Sequence, residues 1–417
     1  MHPAYQIFCR IFQFTFHLAL PFLPYREPVR STRLSDIVKP LDEQGIRSVL
    51  LVTDRALREG GITAPLEAIL AEQGIRTAIY DRTRQNPTVR NVEEAFALYR
   101  KAGCEGLIAF GGGSSIDCAK AVGARVAYPN KSLDQLKGLL RVIRKIPTLI
   151  AIPTTAGTGS EVTLAAVITD DDKKHKYTIN SFTLIPDYAL LDPEVTYTLP
   201  PSLTATTGMD ALTHAVEAYI GRSTRRETRR LALDATHKIF RHLETACREG
   251  NNRTARAEML AAAYEAGIAF SKSYVGYIHA VAHSLGGQYN IPHGLANAVL
   301  LPIVLEAYGR SVHRKLWELG MAAGVANRED TPEEGAARFI RAIRELERKI
   351  GILETLDGIR AEDIPQMAAY AAKEANPLYP VPKLMDARAL EDFYYKVAKE
   401  ERCDVDRRDA VQSTAVL

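Results

Sequence analysis

The sequence predicts an α/β domain followed by an all-α domain, and two observations support this prediction. Four short apolar runs rich in strand-forming residues, at 48–53, 77–80, 106–110 and 148–153, alternate with helical periodicity up to residue 195. This alternation predicts a parallel sheet covered by helices, and the lack of strict polar–apolar alternation indicates strands buried on both faces. Beyond a proline-rich connection near residue 200, long helical patterns follow without a convincing strand.

Length and composition limit the class of protein. A chain of 417 residues exceeds one ordinary core, so we expect two domains, at 31–195 and 196–417. A formal net charge of +3 gives no overall attraction to nucleic acid, and no such partner is expected. The five cysteines are scattered and form no CxxC pair, which predicts reduced thiols in a cytoplasmic protein and argues against a thiolate metal site.

Residues 1–30 form an apolar extension whose character differs from the rest of the chain. Arg10, Gln13 and His17 interrupt its apolar run and two prolines break it, so it resembles neither a signal peptide nor a bilayer-spanning segment. We expect an amphipathic helix that docks on the body of the protein or on a partner subunit. Peripheral contact with a membrane surface is the alternative.

Three consecutive glycines, Gly111, Gly112 and Gly113, follow the third apolar run, and a helix is predicted to begin at Ser114. Glycines allow a sharp turn and a close backbone approach, and a helix N-terminus attracts an anion. The loop therefore predicts a phosphate-binding site, the alternative being a tight turn that binds nothing. Ser114 and Asp117 also have the spacing of a capping box.

A second polar loop, containing Thr154, Thr155 and Thr158, follows the fourth apolar run. Two such loops in one α/β domain favour a ligand with several polar regions, such as a dinucleotide, and hence a Rossmann-like domain. The usual dinucleotide fingerprint does not apply, because the candidate ribose acid, Asp54, precedes the glycines instead of following them. Asp54 also has a simpler interpretation as a helix N-cap.

The helical half contains a candidate metal site. Asp210 and His214 are four residues apart on one predicted helix, and His279, His283 and His293 follow within a short stretch. A carboxylate with imidazoles suits a divalent ion such as iron, zinc or manganese. The spacing leaves open which three histidines bind the ion, although helix geometry alone pairs His279 with His283.

Taken together, these residues resemble the iron-containing alcohol dehydrogenase family, whose fold is of the dehydroquinate-synthase-like type. The resemblance extends in order over about residues 30–400. Its motifs are GGGSSIDCAK at 111–120, PTTAGTGSE at 153–161, GMDALTHAVEAY at 208–219 and PHGLANA at 292–298. It implies an enzyme that transfers hydride reversibly between a primary alcohol or diol and NAD.

The resemblance also assigns roles to residues. It implies four metal ligands, Asp210, His214, His279 and His293, which overrules the pairing of His279 with His283. His283 then lies between the metal and the nicotinamide, for substrate contact or proton transfer. The expected ion is Fe²⁺, with Zn²⁺ or Mn²⁺ as alternatives. The implied cofactor-binding residues are Asp54, Gly111, Gly112, Gly113, Ser114, Asp117, Thr154, Thr155, Thr158 and Lys176, and an acid at 54 implies a preference for NAD over NADP.

Other functions remain open at this point. A zinc-dependent enzyme resembling glycerol dehydrogenase and a hydroxyacid–oxoacid transhydrogenase are the near alternatives. A lyase resembling dehydroquinate synthase shares the fold, and a degenerate structural subunit is the non-enzymatic alternative. The expected partners are a small alcohol or aldehyde substrate and a second copy of the chain, in a homodimer or higher oligomer.

Overall fold

The structure, a computed structural model, describes residues 1–171 and 175–399 of the chain. The N-terminal half is built on a parallel sheet of six strands, in the order β1-β9-β6-β4-β2-β3. The strands are β1 (Val29–Ser31), β2 (Ser48–Val52), β3 (Arg76–Tyr80), β4 (Gly106–Gly111), β6 (Leu149–Pro153) and β9 (Tyr188–Leu190). Four of them match the four predicted runs. The sheet begins at Val29, slightly before the predicted domain boundary at residue 31.

Helices cover both faces of this sheet, as expected for parallel strands that are buried throughout. All residues of β2, β4 and β6 are buried, which explains why their sequences are continuously apolar. The helices of this half are α2 (Val38–Glu43), α3 (Arg55–Glu59), α4 (Ala64–Glu72), α5 (Val89–Ala102), α6 (Gly113–Ala127) and α7 (Leu133–Leu136).

A second, small sheet lies beside the first and was not predicted. It consists of β5 (Gly138–Leu139), β8 (His175–Asn180) and β7 (Ala165–Asp170), with β8 in the middle. β7 and β8 form an antiparallel hairpin. This hairpin carries Lys176, one of the expected cofactor-binding residues.

The C-terminal half is helical as predicted, with a single isolated bridge between Leu356 and Ala398 in the described part. Buried residues of its helices form one large apolar core. The helices are α8 (Pro201–Ile220), α9 (Arg226–Arg248), α10 (Arg253–Ser273), α11 (Tyr277–Tyr289), α12 (His293–Tyr308), α13 (His313–Ala322), α14 (Pro332–Lys349), α15 (Ile364–Ala375) and α16 (Ala387–Val397).

The N-terminal extension forms helix α1 (Pro3–Ala19), which docks on the helical half through the buried Cys9, an edge-on contact of Phe16 with Tyr274, and polar contacts. The Arg10 guanidinium donates to the carbonyl oxygens of Val381 and Pro382 at 2.7 and 2.9 Å. The buried Gln13 amide donates to the carbonyl oxygen of Tyr379 at 2.7 Å. Within the described ranges, no helix is both long and apolar enough to cross a bilayer.

Glu347 in α14 is a buried carboxyl whose Oε1 has no hydrogen-bond partner, and burial raises its pKa to about 8. Since this pKa lies above that of the unfolded chain, the folded state binds the extra proton. Its contribution to stability is therefore complete at low pH and is lost as pH rises toward 8. We expect wild-type stability to fall by on the order of 3 kcal/mol between pH 5 and 8 through this group. Glu347→Gln should abolish that fall in thermal melts, and parallel pH profiles for both proteins would contradict it.

Candidate active site

The two predicted polar loops lie side by side at the carboxyl edge of the large sheet. β4 leads into the loop of Gly111, Gly112 and Gly113, here called the glycine loop. β6 leads into the loop that contains Thr154, Thr155 and Thr158, here called the threonine loop. The two strands are hydrogen-bonded neighbours, with Gly111 paired to Pro153. The Thr154 amide donates to the carbonyl oxygen of Gly111 at 3.0 Å. Ligands of open parallel sheets bind in the crevice beyond these strand ends. The arrangement therefore forms one continuous cradle rather than two separate turns.

At two positions in these loops the neighbouring residues lie so close that only glycine fits. A Cβ at Gly113 would lie 2.8 Å from the Thr158 Oγ1, so only glycine lets the two loops meet. A Cβ at Gly157 would lie 2.6 Å from the Cβ of Thr207 on α8, the helix that carries the candidate metal ligands. The threonine loop thus joins the nucleotide cradle to the metal-binding half.

The predicted capping box at Ser114 and Asp117 is wrong. α6 begins at Gly113, its N-cap is Gly112, and no side chain caps its first turn. Ser114 Oγ instead accepts from the amide of Asn86 at 3.3 Å. The first N–H groups of α6 consequently remain available to an anionic ligand, which is the property that a phosphate site requires.

Asp117 and Lys120, on α6, hold the threonine loop in place through hydrogen bonds. The Asp117 carboxylate accepts from Ser160 Oγ at 2.6 Å and from the Val167 amide at 3.0 Å. The fully buried Lys120 ammonium donates to Ser160 Oγ and to the carbonyl oxygen and Oγ1 of Thr163, at 3.1, 2.9 and 2.9 Å. Burial lowers the pKa of Lys120 to about 8 and raises that of Asp117. In this structure Asp117 therefore positions the loop.

Asp54 follows β2, the neighbour of β4, and so stands at the same edge of the sheet. It is the N-cap of α3, and its Oδ1 accepts from the Leu57 amide at 3.0 Å. The structure therefore contains the helix cap, which was the simpler interpretation of Asp54 from the sequence. The cap uses one carboxylate oxygen and leaves Oδ2 for other contacts.

Two side chains of the N-terminal half reach across the cleft toward the helical half. The Lys176 ammonium projects toward α11, where a methyl group on Gly286 would lie 3.9 Å from its Nζ, and burial lowers the pKa of Lys176. The Asn86 amide donates to Asn290 Oδ1 at 3.4 Å. The cleft between the cradle and α11 is therefore narrow and lined with polar groups.

The expected metal ligands converge from three helices, α8, α11 and α12. Ligand atoms of Asp210, His279 and His293 all lie within 4.8 Å of one another. The His214 ring stacks on the His279 ring, with 4.5 Å between centroids, and its other face stacks on Phe270 at 4.2 Å. Asp210, His214 and His279 are almost fully buried. The sequence motifs therefore meet at one point in space.

The protonation of the imidazoles suits a bound cation. Burial lowers the pKa values of His214 and His279, and it lowers that of His293 to about 4 despite the opposing charge of Asp210. All three rings are neutral near pH 7, so their lone pairs are free to coordinate. His279 Nε2 is buried without a hydrogen-bond partner and belongs to the converging ligand atoms. A divalent ion would satisfy this orphaned nitrogen.

Glu217 orients His279 from behind and was missed in the sequence. Its Oε2 accepts from His279 Nδ1 at 2.6 Å and from the Gly276 amide at 2.8 Å, while its Oε1 accepts from the Ile278 amide at 2.9 Å. Burial raises the pKa of Glu217 to about 7. With the proton on Nδ1, the Nε2 lone pair faces the cluster, which is the carboxylate–histidine arrangement typical of metal sites.

Asn297 supports the same cluster from α12. Its fully buried amide donates to Asp210 Oδ1 at 2.7 Å and lies 3.1 Å from His293 Nε2. Asp210 Oδ1 and His293 Nε2 are themselves 3.6 Å apart. The carboxylate and the imidazole are consequently held at a fixed separation by a neutral side chain.

His283 lies beside the cluster, open to the cleft, with its ring stacked on that of His293 at 5.1 Å between centroids. Its Nδ1 is 2.6 Å from Glu374 Oε1, which also accepts from the Tyr379 hydroxyl at 2.7 Å. Partial burial opposes a charge on His283, but Glu374 outweighs it and raises the pKa of the imidazole. No local motif marks Glu374 or Tyr379, and both were missed in the sequence.

Two family profiles match nearly the whole chain. The profile "Iron-containing alcohol dehydrogenase" matches residues 29–193, and "Fe-containing alcohol dehydrogenase family, C-terminal" matches residues 204–397. The chain therefore belongs to the iron-containing alcohol dehydrogenase family, an oxidoreductase of the alcohol dehydrogenase class. The predicted family and fold class are confirmed. Helix α1 lies outside both matched regions.

Similar proteins agree with this assignment. A 1,3-propanediol dehydrogenase of Klebsiella pneumoniae is 39% identical over 337 residues, which cover 80% of this chain and 87% of that protein. A crystal structure of 1,3-propanediol oxidoreductase has a TM-score of 0.86 at 35% identity and covers 89% and 99% of the two chains. Sulfoacetaldehyde reductase from Bifidobacterium kashiwanohense, in complex with NAD⁺, has a TM-score of 0.80 at 28% identity, with coverage of 89% and 98%.

Proposed function

We propose that the chain oxidises a primary alcohol or short diol with NAD, and reduces the matching aldehyde, using a single Fe²⁺ ion. The observation that carries this proposal is the meeting of the Asp210 carboxylate with the neutral imidazoles of His279 and His293, on the first of which the His214 ring stacks, in a chain that also has a glycine-rich cradle. The relative that acts on 1,3-propanediol supports a small hydroxylated substrate, and the NAD⁺ complex of a structural relative supports the cofactor.

Asp210, His214, His279 and His293 would hold the ion, with Glu217 and Asn297 fixing the orientation of the ligands. A divalent ion at this position would act as a Lewis acid that favours the alkoxide form of the bound alcohol. The nearly complete burial of Asp210, His214 and His279 keeps water away from that side of the site. Zn²⁺ or Mn²⁺ fits the same oxygen and nitrogen donors.

The cradle formed by Gly111, Gly112, Gly113 and Ser114 would bind the pyrophosphate of NAD through the open N-terminus of α6. NAD would supply the hydride acceptor. Thr154, Thr155 and Thr158 offer hydroxyl groups along the neighbouring loop, and Asp117 holds that loop in place. Lys176 adds a positive charge to the cleft, where its ammonium projects toward α11.

His283 is the candidate proton carrier. It is half-exposed to the cleft and adjoins the metal ligand His293, so it can reach both the substrate oxygen and solvent. With Nδ1 donating to Glu374, Nε2 is the atom that would take the proton from the alcohol. Tyr379 fixes Glu374 from the other side and so restricts the rotation of the imidazole.

We further propose a cytoplasmic homodimer or larger homo-oligomer. The four cysteines in the described part of the chain are buried and unpaired, which supports a reducing compartment. Nothing in the charge of the chain favours a nucleic-acid partner.

The proposal is tested by anaerobic purification, metal analysis, and NADH formation with ethanol, butanol, 1,3-propanediol and glycerol, with and without added Fe²⁺. Near-stoichiometric metal and iron-stimulated NADH formation would support it. Bound zinc with a preference for glycerol would favour the glycerol-dehydrogenase alternative. Nucleotide retained through purification, with turnover only when an oxoacid is added, would favour the transhydrogenase.

Asp54→Gly is expected to relax the preference for NAD over NADP, because a carboxylate at the end of β2 repels a 2′-phosphate. One charge contact of this kind is worth about 1–2 kcal/mol, so we expect a roughly 10-fold shift in the ratio of kcat/KM values. Asp54→Asn keeps a capping side chain and serves as the control for stability. An unchanged ratio in both variants would leave Asp54 as a helix cap alone.

A further inference from the structure

Helix α1 carries apolar side chains on its outward face as well as on the face that docks on the protein. Its inward face carries Phe16, whose ring packs edge-on against Tyr274, and the buried Cys9, and Arg10 and Gln13 donate to backbone carbonyl groups of the segment 379–382. Its outward face carries large apolar side chains. A surface helix normally turns its apolar stripe to the core, so this arrangement requires another explanation for the outward face.

We define the outer face as Ile7, Phe8, Ile11, Phe14, Leu18 and Phe22. These six side chains are between 51% and 86% exposed. At about 150–250 Å² for a fully exposed aromatic side chain, the three phenylalanines alone present roughly 300–500 Å² of apolar surface, to which Ile7, Ile11 and Leu18 add. The whole face is therefore as large as the largest patch of a typical monomer, about 300–600 Å², and approaches the ~800 Å² that each partner buries in a standard interface.

No other part of the described chain covers this face. Residues 400–417 lie outside the described part, and eight of these eighteen residues are charged, so their composition does not suit an apolar surface. The helix itself contains a single arginine, Arg10, whose guanidinium is already engaged inward, and no lysine. A helix that lies on a lipid surface normally carries several Lys or Arg residues beside its apolar face. The composition therefore favours protein over lipid as the occupant.

The spacing of the outer face points to a second helix of the same kind. Ile7, Ile11, Phe14 and Leu18 follow one another at intervals of four, three and four residues, which is the seam along which two helices pack. The seam is nearly symmetric about its middle. In an antiparallel pair, Ile7 would therefore face Leu18 and Ile11 would face Phe14, each contact occurring twice as two-fold symmetry requires.

We propose that the outer face of α1 is an interface between two copies of this chain, formed by antiparallel packing of the two α1 helices. The surface lies outside the residues that the family profiles match, so the proposal does not depend on the proposed chemistry. An inactive enzyme could still pair through α1, and an active one could fail to do so.

The test is the molar mass of the purified full-length protein by light scattering after gel filtration. Ile11→Glu/Phe14→Glu is expected to halve the mass of the assembly relative to wild type. Ile143→Glu/Leu353→Glu removes two equally exposed apolar side chains elsewhere, at 76% and 68% exposure, and should leave the mass unchanged. Retained thermal stability would show that both variants fold.

Cross-linking gives a second readout that does not depend on the stability of the variant. In Ile11→Cys/Phe14→Cys, a short thiol-reactive linker is expected to join two chains covalently, whereas Ile143→Cys is not. Equal masses for wild type and Ile11→Glu/Phe14→Glu, with no covalent dimer, would overturn the proposal. A third outcome would favour a lipid surface and overturn the proposal. In that case wild type would sediment with anionic phospholipid vesicles, Ile11→Glu/Phe14→Glu would not, and the molar masses of the two proteins without vesicles would be equal.

Discussion

Asp210→Ala is expected to leave the purified protein without stoichiometric metal and to reduce alcohol oxidation on the order of 1,000-fold. The carboxylate is the only anionic group among the expected ligands, and its oxygen lies within 4.8 Å of the donor nitrogens of His279 and His293. Lewis-acid stabilisation is worth several kcal/mol, and each 1.4 kcal/mol corresponds to about tenfold in rate. Metal content and kcat should therefore fall together.

The controls separate loss of metal from loss of structure. Asp210→Asn preserves the volume of the side chain, and Asp234→Ala removes a half-exposed carboxylate from a neighbouring helix without touching the site. Glu217→Gln should weaken metal binding by roughly 10- to 100-fold, and excess Fe²⁺ should restore its activity. Full metal content in Asp210→Ala would show that this residue is not a ligand.

His283→Ala is expected to lower kcat by about 100- to 1,000-fold while leaving the metal content intact. A positioned general acid or base typically contributes 10²–10⁴ in rate. His283 lies in the cleft beside the metal ligands, and its Nδ1 hydrogen bond to Glu374 is outside the cluster itself. Loss of metal from this variant would instead make His283 a ligand, and our assignment of the four ligands would then be wrong.

Glu374→Gln tests whether the hydrogen bond to Glu374 orients this imidazole. We expect kcat to fall by about tenfold with little change in KM, because the neutral amide no longer enforces the proton on Nδ1. Tyr379→Phe removes only the hydroxyl that holds Glu374 and should have a smaller effect. A change in KM alone would mean that Glu374 contacts the substrate instead of orienting His283.

The fold could be predicted where one local pattern sufficed. Strands β2, β4 and β6 are continuously apolar because both faces are buried, and long helices repeat at their own period. β1 and β9 have three residues each, too few for any period to appear, and their place depends on pairing with neighbours distant in sequence. In the small sheet, β5 escaped prediction for the same reason, since it has only two residues, whereas β7 and β8 have six residues each and were simply missed.

The same distinction between local patterns and distant contacts holds for the candidate site. Asp210 and the histidines at 214, 279, 283 and 293 stand in short stretches, so the sequence could offer them as candidates, and the family resemblance then selected Asp210, His214, His279 and His293 as the expected ligands. Glu217 lies in one of those motifs, three residues after His214, but its role depends on the approach of the α11 backbone. Glu374 is 91 residues from His283 along the chain. Contacts between residues this far apart in the chain depend on how the helices pack, and the spacing of residues in the sequence does not predict them.

The contact between Gln13 and the Tyr379 carbonyl has a consequence for how the chain can be shortened. Tyr379 holds Glu374, and Glu374 holds His283, so a segment outside the family-matched core is two side chains removed from the candidate proton carrier. The extension is thus part of the framework that supports the cleft. A truncation that retained only the family-matched residues would keep every expected ligand. It would still remove the contact of Gln13 with Tyr379 and so weaken the support of Glu374 and His283.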